Sequence, residues 1–422
     1  MASALNFSKH ALASGSLHLV VKMSWILGME PALQHAVGLQ GYGDYAAAMG
    51  ITVMFTALLD PGINTMFIQR AAGNPKWIPT LLPSFLRLRL FSALLYILVL
   101  GGMAYLFEWE TRSLWMVGLV AIASICINTA QFLRGIWSIK GRYTFESVLA
   151  NLDKIIMMVM GGVWLLFPAA PKWAEGMALI MLISAILSLV VTGWSVLPHL
   201  GQWNSKAPFH VVTLLKKAGP FALMILLMGI LYRFDAIWLK TMTDPSGMQN
   251  GIYGSAFRFF DAFMQFISLF MVILMPMLAR QMASGQPTQR LTQMAFIFIG
   301  MLGLGASLLT YAGAPWICAQ LYPQHASDIV PTFRWISMSL MPLGLSLFFG
   351  AWLTAAGQLK KIHWAMGLGV GLSILGNVYL QPKLGALGAA QICLATQWLT
   401  TILQGGMVWQ GLQKEKQRVN AL

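Results

Sequence analysis

Twelve apolar stretches, each long enough to cross a bilayer as a helix, follow one another with no long polar segment between them. A spanning helix needs about 20 mainly apolar residues. The stretches lie at roughly 14–37, 45–68, 83–107, 113–133, 148–167, 175–197, 214–239, 250–279, 291–311, 329–355, 363–380 and 386–410. Only 9% of the 422 residues are charged and 58% are hydrophobic, against roughly 25% charged in a soluble globular protein. So few polar side chains cannot cover a soluble domain of this length, so lipid must solvate most of the surface. The 16 tryptophans fit rings anchored at membrane interfaces. The predicted fold class is all-α integral membrane, with twelve transmembrane helices and no extramembrane domain to carry separate chemistry.

The formal charge of +14 does not point to nucleic acid, because the basic residues fall between apolar spans and form no soluble patch. They read instead as topology determinants. With the N-terminus in the cytoplasm, 18 of the 27 Lys and Arg fall in inner segments, and only Arg112, Lys172, Lys240 and Lys383 in outer ones. Positive residues favour the cytoplasmic side, so both termini are expected inside. His18, Lys22 and Glu30 make the first span poor material for a cleaved signal, which predicts a retained helix. Cys126, Cys318 and Cys393 are far apart, without paired spacing or nearby His, and read as packing residues.

The chain repeats itself weakly. The second span opens with Gly43-Asp44-Tyr45-Ala46-Ala47-Ala48 and the eighth with Gly251-Ile252-Tyr253-Gly254-Ser255-Ala256. Both run on to a basic residue, Arg70 and Arg280. Six helices separate the matched elements, and an even offset preserves orientation, so the halves read as parallel six-helix repeats. The expected lobes are residues 1–202 and 203–422, joined by a linker at about 198–212 that holds Pro198, Lys206 and Pro208.

Eight ionisable residues lie inside the spans: Lys22, Glu30, Asp60, Arg233, Asp235, Arg258, Asp261 and Arg334. A charge at membrane depth costs at least about 2.5–3.5 kcal/mol on insertion scales, so it usually faces a protein interior or a watery cavity. A polar chamber inside a helical bundle is the expectation, and with it a transporter. Arg258 and Asp261 are three apart, close enough to pair on one helix face. Arg233 and Asp235 are two apart and cannot face one another well, so at least one needs a partner on another helix. Pro61 should kink the second helix by removing a backbone donor and crowding the preceding turn. Gly367-Leu368-Gly369-Val370-Gly371 superficially matches a nucleotide-binding loop, but it lies in an apolar span and reads as helix packing.

Several of these residues also carry a family likeness. Tyr42-Gly43-Asp44-Tyr45, Leu59-Asp60-Pro61-Gly62-Ile63 and Gln69-Arg70-Ala71-Ala72 resemble the "YGxY … DxGx … RxxA" run of bacterial polysaccharide (O-antigen-type) flippases. Arg233-Phe234-Asp235-Ala236-Ile237-Trp238-Leu239 and Gly251-Ile252-Tyr253-Gly254-Ser255-Ala256-Phe257-Arg258 are similar to that family's seventh- and eighth-helix segments. Pro61 departs from the family, which commonly has Leu there. The family belongs to the multidrug/oligosaccharidyl-lipid/polysaccharide exporter superfamily. The resemblance implies two six-helix lobes in a V around a central cavity, in the bacterial inner membrane. It implies a substrate of sugars on polyprenyl pyrophosphate, carried from the cytoplasmic to the periplasmic leaflet for O-antigen, capsule or exopolysaccharide assembly. Polysaccharide polymerase and chain-length proteins are the implied partners, and no cofactor is expected.

For such an anionic head group, Lys22, Arg233, Arg258 and Arg334 are the candidate binding residues, since Arg offers forked donors and Lys a mobile point charge. Glu30, Asp60, Asp235 and Asp261 are candidates for holding a coupling H+ or Na+. Each charge also has a plainer role open to it, as a counter-ion that ties helices together, and Arg334 stands near enough to the interface to snorkel. His18 reads as a satisfied core histidine beside Lys22, and Asp153 with Lys154 as a solvated interfacial pair. Two other readings stay open. A cation-coupled multidrug antiporter of the same superfamily would favour an acidic cavity. A glycan ligase or polymerase would need catalytic groups on an outer loop, where 312–328 offers only His325 and Asp328.

Overall fold

The apolar stretches fold as helices. The computed structural model describes residues 17–73, 78–107, 109–167, 171–199 and 211–420, and among these it contains no strand. In chain order the long helices are α1 (17–37), α2 (39–73), α3 (Ile78–Leu106), α4 (Thr111–Ile139), α5 (Tyr143–Leu166), α6 (Ala174–Val196) and α7 (211–243). They continue as α8 (Met248–Ala283), α9 (Gln289–Leu321), α10 (Ala326–Ala355), α11 (Leu359–Leu384) and α12 (Ala386–Asn420). The twelve described helices answer the twelve apolar stretches, and the protein is a multi-pass membrane protein.

Nothing polar or long separates the first two helices. The helix breaks and the chain turns at Gly38, whose φ of 79° and ψ of 163° leave the helical region. One hydrogen bond fits the turn: Tyr42 Oη donates to Glu30 Oε1 at 3.0 Å. Twelve residues along an unbroken helix would put those groups about 18 Å apart. A side chain at this φ is disfavoured, so glycine makes the turn possible.

The break expected in α2 is present. Asp60 adopts φ −137° and ψ 77°, just before Pro61, and Gly62 follows at φ 90°. The residue before a proline avoids the helical region, and glycine tolerates the positive φ that re-enters the next helical turn. One placement needs correction. Arg89, counted with a cytoplasmic segment although the stretch 83–107 contains it, lies inside α3 and is 6% exposed. Arg87, two residues earlier, is exposed.

The chain divides into two compact units, Met1–Gly229 and Ile230–Leu422, with the division inside α7. Residues 200–210 of the expected linker lie outside the described residues. In the N-terminal unit, α4 packs against α6, α5 and the α1–α2 pair. Phe67, Phe85 and Phe132 meet at its core, with ring centroids 4.7 Å apart between Phe67 and Phe132 and 5.3 Å between Phe67 and Phe85. Edge and offset contacts of this kind add to the stability from burial. In the C-terminal unit, α11 lies along α12, while α10 is flanked by α8, α9 and α12. Gly369 and Gly376 both lie where α11 comes close to α12: a Cβ would lie 2.6 Å from Thr400 Cγ2 at the first and closer still to Ile392 Cδ1 at the second. Gly369 of the glycine run therefore does serve packing, as small residues do where membrane helices approach.

Candidate functional site

In the N-terminal unit, two groups of charged side chains form. The first joins α1, α4 and α5. His18 Nδ1 lies 2.9 Å from Asn151 Oδ1, so the histidine has a buried amide partner as expected. Lys22, one turn further along α1, is half-buried, and Lys154, Asp153 and Arg134 are the charges within its reach. The two acids of the group already have bases: Arg134 Nε contacts Glu146 Oε1 at 2.9 Å, and Lys154 Nζ lies 3.6 Å from Asp153 Oδ2. Lys154 also sits over the Trp25 ring at 5.5 Å. The Asp153–Lys154 pair forms, but it is enclosed rather than solvated: Asp153 is 9% exposed. Bases outnumber acids in this group, which makes it attractive to an anion.

The second group is made by the break in α2. Asp60 Oδ1 accepts from the Asn64 backbone N–H at 3.1 Å, capping the helical turn that restarts at Ile63. Its Oδ2 lies 3.5 Å from Arg89 Nη2, and the Arg89 guanidinium also rests over the Phe132 ring at 4.8 Å. Sequence reading did not find this partner. The signal that was available is the spacing Arg87-Leu88-Arg89, which a helix starting at Ile78 turns to different faces. Glu30 takes the Tyr42 hydroxyl at the α1–α2 turn, away from both groups.

The C-terminal unit arranges its charges differently. Asp235 on α7 is 1% exposed. Its carboxylate accepts from Tyr253 Oη on α8 at 2.7 Å, from Ser373 Oγ at 3.4 Å and from Asn377 Nδ2, the last two on α11. Gln381 Nε2, one turn further along α11, donates to the Asp235 backbone carbonyl at 3.1 Å and to Asn377 Oδ1 at 2.7 Å. The donors to this carboxylate are neutral hydroxyl and amide groups from two helices, α8 and α11. The repeated Tyr253 is one of them. Nothing in the sequence indicated that α11 would supply the rest.

Asp261 has a partner from another helix that spacing along α8 did not indicate. Arg233 Nη2 lies 2.8 Å and 3.0 Å from its two carboxylate oxygens. Arg233 comes from α7, so the pair ties α7 to α8. The Phe257 ring lies 5.2 Å from the Arg233 guanidinium, and the pair is half-buried. Arg258 is 3% exposed; its Nη1 donates to Tyr322 Oη at 3.0 Å, and that hydroxyl donates to the Ser255 carbonyl at 3.2 Å. Arg334 is half-buried, with its guanidinium 5.4 Å from the Tyr311 ring centroid. Within the C-terminal unit Arg233 thus meets Asp261, Arg258 meets Tyr322, Arg334 lies over Tyr311, and Asp235 sits among neutral donors. His325 and Asp328 form an exposed pair at 3.5 Å.

No family model and no curated protein matches the chain. Solved structures do. A multidrug resistance MATE family transporter of the MOP superfamily, in its inward-facing conformation, is similar with a TM-score of 0.72 at 12% identity, covering 96% of this chain and 98% of that one. The lipid II flippase MurJ, in an inward closed conformation, is similar with a TM-score of 0.70 at 13% identity, covering 96% and 87%. The Vibrio cholerae MATE transporter VcmN in its bent form gives 0.59 at 15% identity, covering 98% and 99%. At these identities the likeness is one of fold, and the chain has the all-helical fold of these membrane transporters.

Proposed function

We propose that this protein is a flippase for lipid-linked oligosaccharides, moving sugars on polyprenyl pyrophosphate from the cytoplasmic to the periplasmic leaflet by alternating access. In this reading it lies in the bacterial inner membrane with both termini in the cytoplasm, and serves surface-polysaccharide assembly. The observation that carries it is the basic group on α1, α4 and α5, where among the described residues three bases, Lys22, Arg134 and Lys154, gather with two acids, Glu146 and Asp153. Such a surplus attracts a pyrophosphate and repels the cations that a multidrug antiporter exports. The fold shared with a lipid II flippase agrees with a lipid-linked substrate.

We assign head-group attraction to Lys22 and to Arg233, whose half-buried pair with Asp261 leaves donors for a second anion. Arg258 and Arg334, each against a tyrosine ring, support helix packing around them. Asp235 is the residue for a coupling H+ or Na+, because it is a buried carboxyl whose donors are neutral and can accommodate a change in its charge. Asp60 and Asp261 each hold an arginine, and Glu30 holds the α1–α2 turn. The test is transfer of a labelled polyprenyl-pyrophosphoryl glycan in proteoliposomes. Lys22→Ala with Arg233→Ala should lower the rate at least about tenfold, the equivalent of about 1.4 kcal/mol. Unchanged transfer in the double variant, or gradient-driven efflux of amphiphilic cations by the native chain, would overturn the reading.

A further inference from the structure

Three glutamines inside the C-terminal unit are not fully satisfied by its helices. Gln381 on α11 and Gln397 and Gln404 on α12 are each 0% exposed. Gln381 donates twice, but its Oε1 meets no protein donor. Gln404 Oε1 accepts from Ser346 Oγ at 3.2 Å, while its Nε2 meets no acceptor. Gln397 has no hydrogen-bond partner at either Oε1 or Nε2. A carboxamide offers two donors and an acceptor with two lone pairs, and burying these unmade in an apolar setting is costly. Native interiors satisfy such groups with protein or with ordered water.

Neighbouring side chains show that polarity alone does not explain the glutamines. Thr396 and Thr400 return their hydroxyls to carbonyls one turn back on α12, and Thr401 donates to the Pro342 carbonyl at 2.7 Å. Those residues are complete within the protein. The glutamines are not, and they are aligned. Cys393, Gln397, Thr401 and Gln404 recur at helical spacing on one face of α12. Eleven residues separate Cys393 from Gln404, a run of about 16 Å along the axis. At one end Cys393 meets Tyr253, which donates to Asp235, and Gln381 donates to the backbone carbonyl of the same residue. At the other, Gly405 follows Gln404 and lines a groove of about 470 Å³ that is mostly apolar but also carries Gln289, Thr292, Gln293 and Lys416.

We propose that Gln381, Gln397 and Gln404 hold a file of ordered water molecules inside the C-terminal unit, through which Asp235 exchanges protons with bulk water. The second half rests on the coupling role given to Asp235 above. Each transfer breaks one O–H bond and makes another on the next oxygen, so a proton leaving Asp235 is matched by one delivered at the groove. Tyr253 and Cys393 are the titratable groups facing Asp235, with the Arg233–Asp261 pair the nearest full charges.

Pulsed hydroxyl-radical labelling read by mass spectrometry tests the file, because radicals formed from bound water modify the side chains beside it. The whole chain in lipid nanodiscs carries its own control: Cys393 and Cys318 are both buried, at 3% and 0% exposed, but only Cys393 lies on the file. Cys393 should be labelled at least about tenfold faster than Cys318, and Gln397→Leu and Gln404→Leu should bring it down to the Cys318 rate. Equal rates in the native chain, which need no variant, overturn the file whatever transport shows. Asp235→Asn should keep Cys393 labelled and remove the dependence of transport on the proton gradient. Persistence of that dependence, with Cys393 still labelled, overturns the coupling role and the file's use as a route.

Discussion

Asp60 and Asp235 are both acids set in apolar helices, and the two units keep them in opposite ways. In the N-terminal unit, Asp60 sits at a break, caps the next turn and faces the buried guanidinium of Arg89. In the C-terminal unit, Asp235 sits in an unbroken helix among a phenol, a hydroxyl and two carboxamides. A carboxylate facing a fixed cation cannot change charge without stranding that cation. One held by neutral donors can, because each donor can turn or share its hydrogen. Burial in a membrane protein therefore does not by itself mark a working acid; the charge of its neighbours separates the structural acid from the switchable one.

The largest effect that would break this contrast is on stability in the N-terminal unit. Asp60→Asn should cost about 3–5 kcal/mol, as breaking a buried pair generally does by stranding one charge. Thermal unfolding in detergent would measure it, and Arg89→Met added to Asp60→Asn should recover most of the loss. Gradient dependence of transport should survive in whatever protein folds. If Asp60→Asn instead folds normally and loses coupling, the roles of the two acids are reversed.

At the α1–α2 turn, Gly38→Ala should cost about 1–3 kcal/mol, the range for a strained backbone conformation. A Cβ there meets nothing within 4 Å, so the loss would be conformational and not steric. An unchanged melting temperature would show that the turn does not need this glycine. On the other side of the comparison, Asp235→Asn should change stability by only about 1 kcal/mol, the scale of one neutral hydrogen bond. Its effect should appear instead in flux measured with and without an imposed ion gradient.

The smallest expected effect is Arg112→Gln. Its partner is Glu175, with Arg112 Nη2 at 3.2 Å from Oε2, but the arginine is 57% exposed. Such surface pairs are worth about 0–1 kcal/mol. A melting shift as large as that of Asp60→Asn would mean that exposure does not grade the ion pairs of this unit.

The twelve helices were legible because each needs only a local run of apolar residues, and the break in α2 because proline and glycine act on their own backbone. The residues that would bear charge were legible too, since an ionisable group among apolar neighbours stands out in any window. Their partners were not. Arg258 and Asp261 share a helix at favourable spacing, but that spacing did not reveal Arg233 of α7 beside Asp261 or Tyr322 beside Arg258. Arg89 was passed over because it was counted with the cytoplasmic positive charges, although it lies inside the third apolar stretch. The three neutral side chains of α11 around Asp235 carry no charge to draw attention in sequence.

By itself, then, the chain's order of residues determined that it crosses a membrane repeatedly, where it bends, and which side chains carry charge in apolar surroundings. Those properties follow from solvation and backbone sterics within a few turns of each residue. Only the packing of α7 against α8 and α11, and of α2 against α3, decided which acid meets a fixed cation and which meets neutral donors. A hydrogen bond between helices depends on how both rotate and slide past each other, and no short window of sequence contains that information.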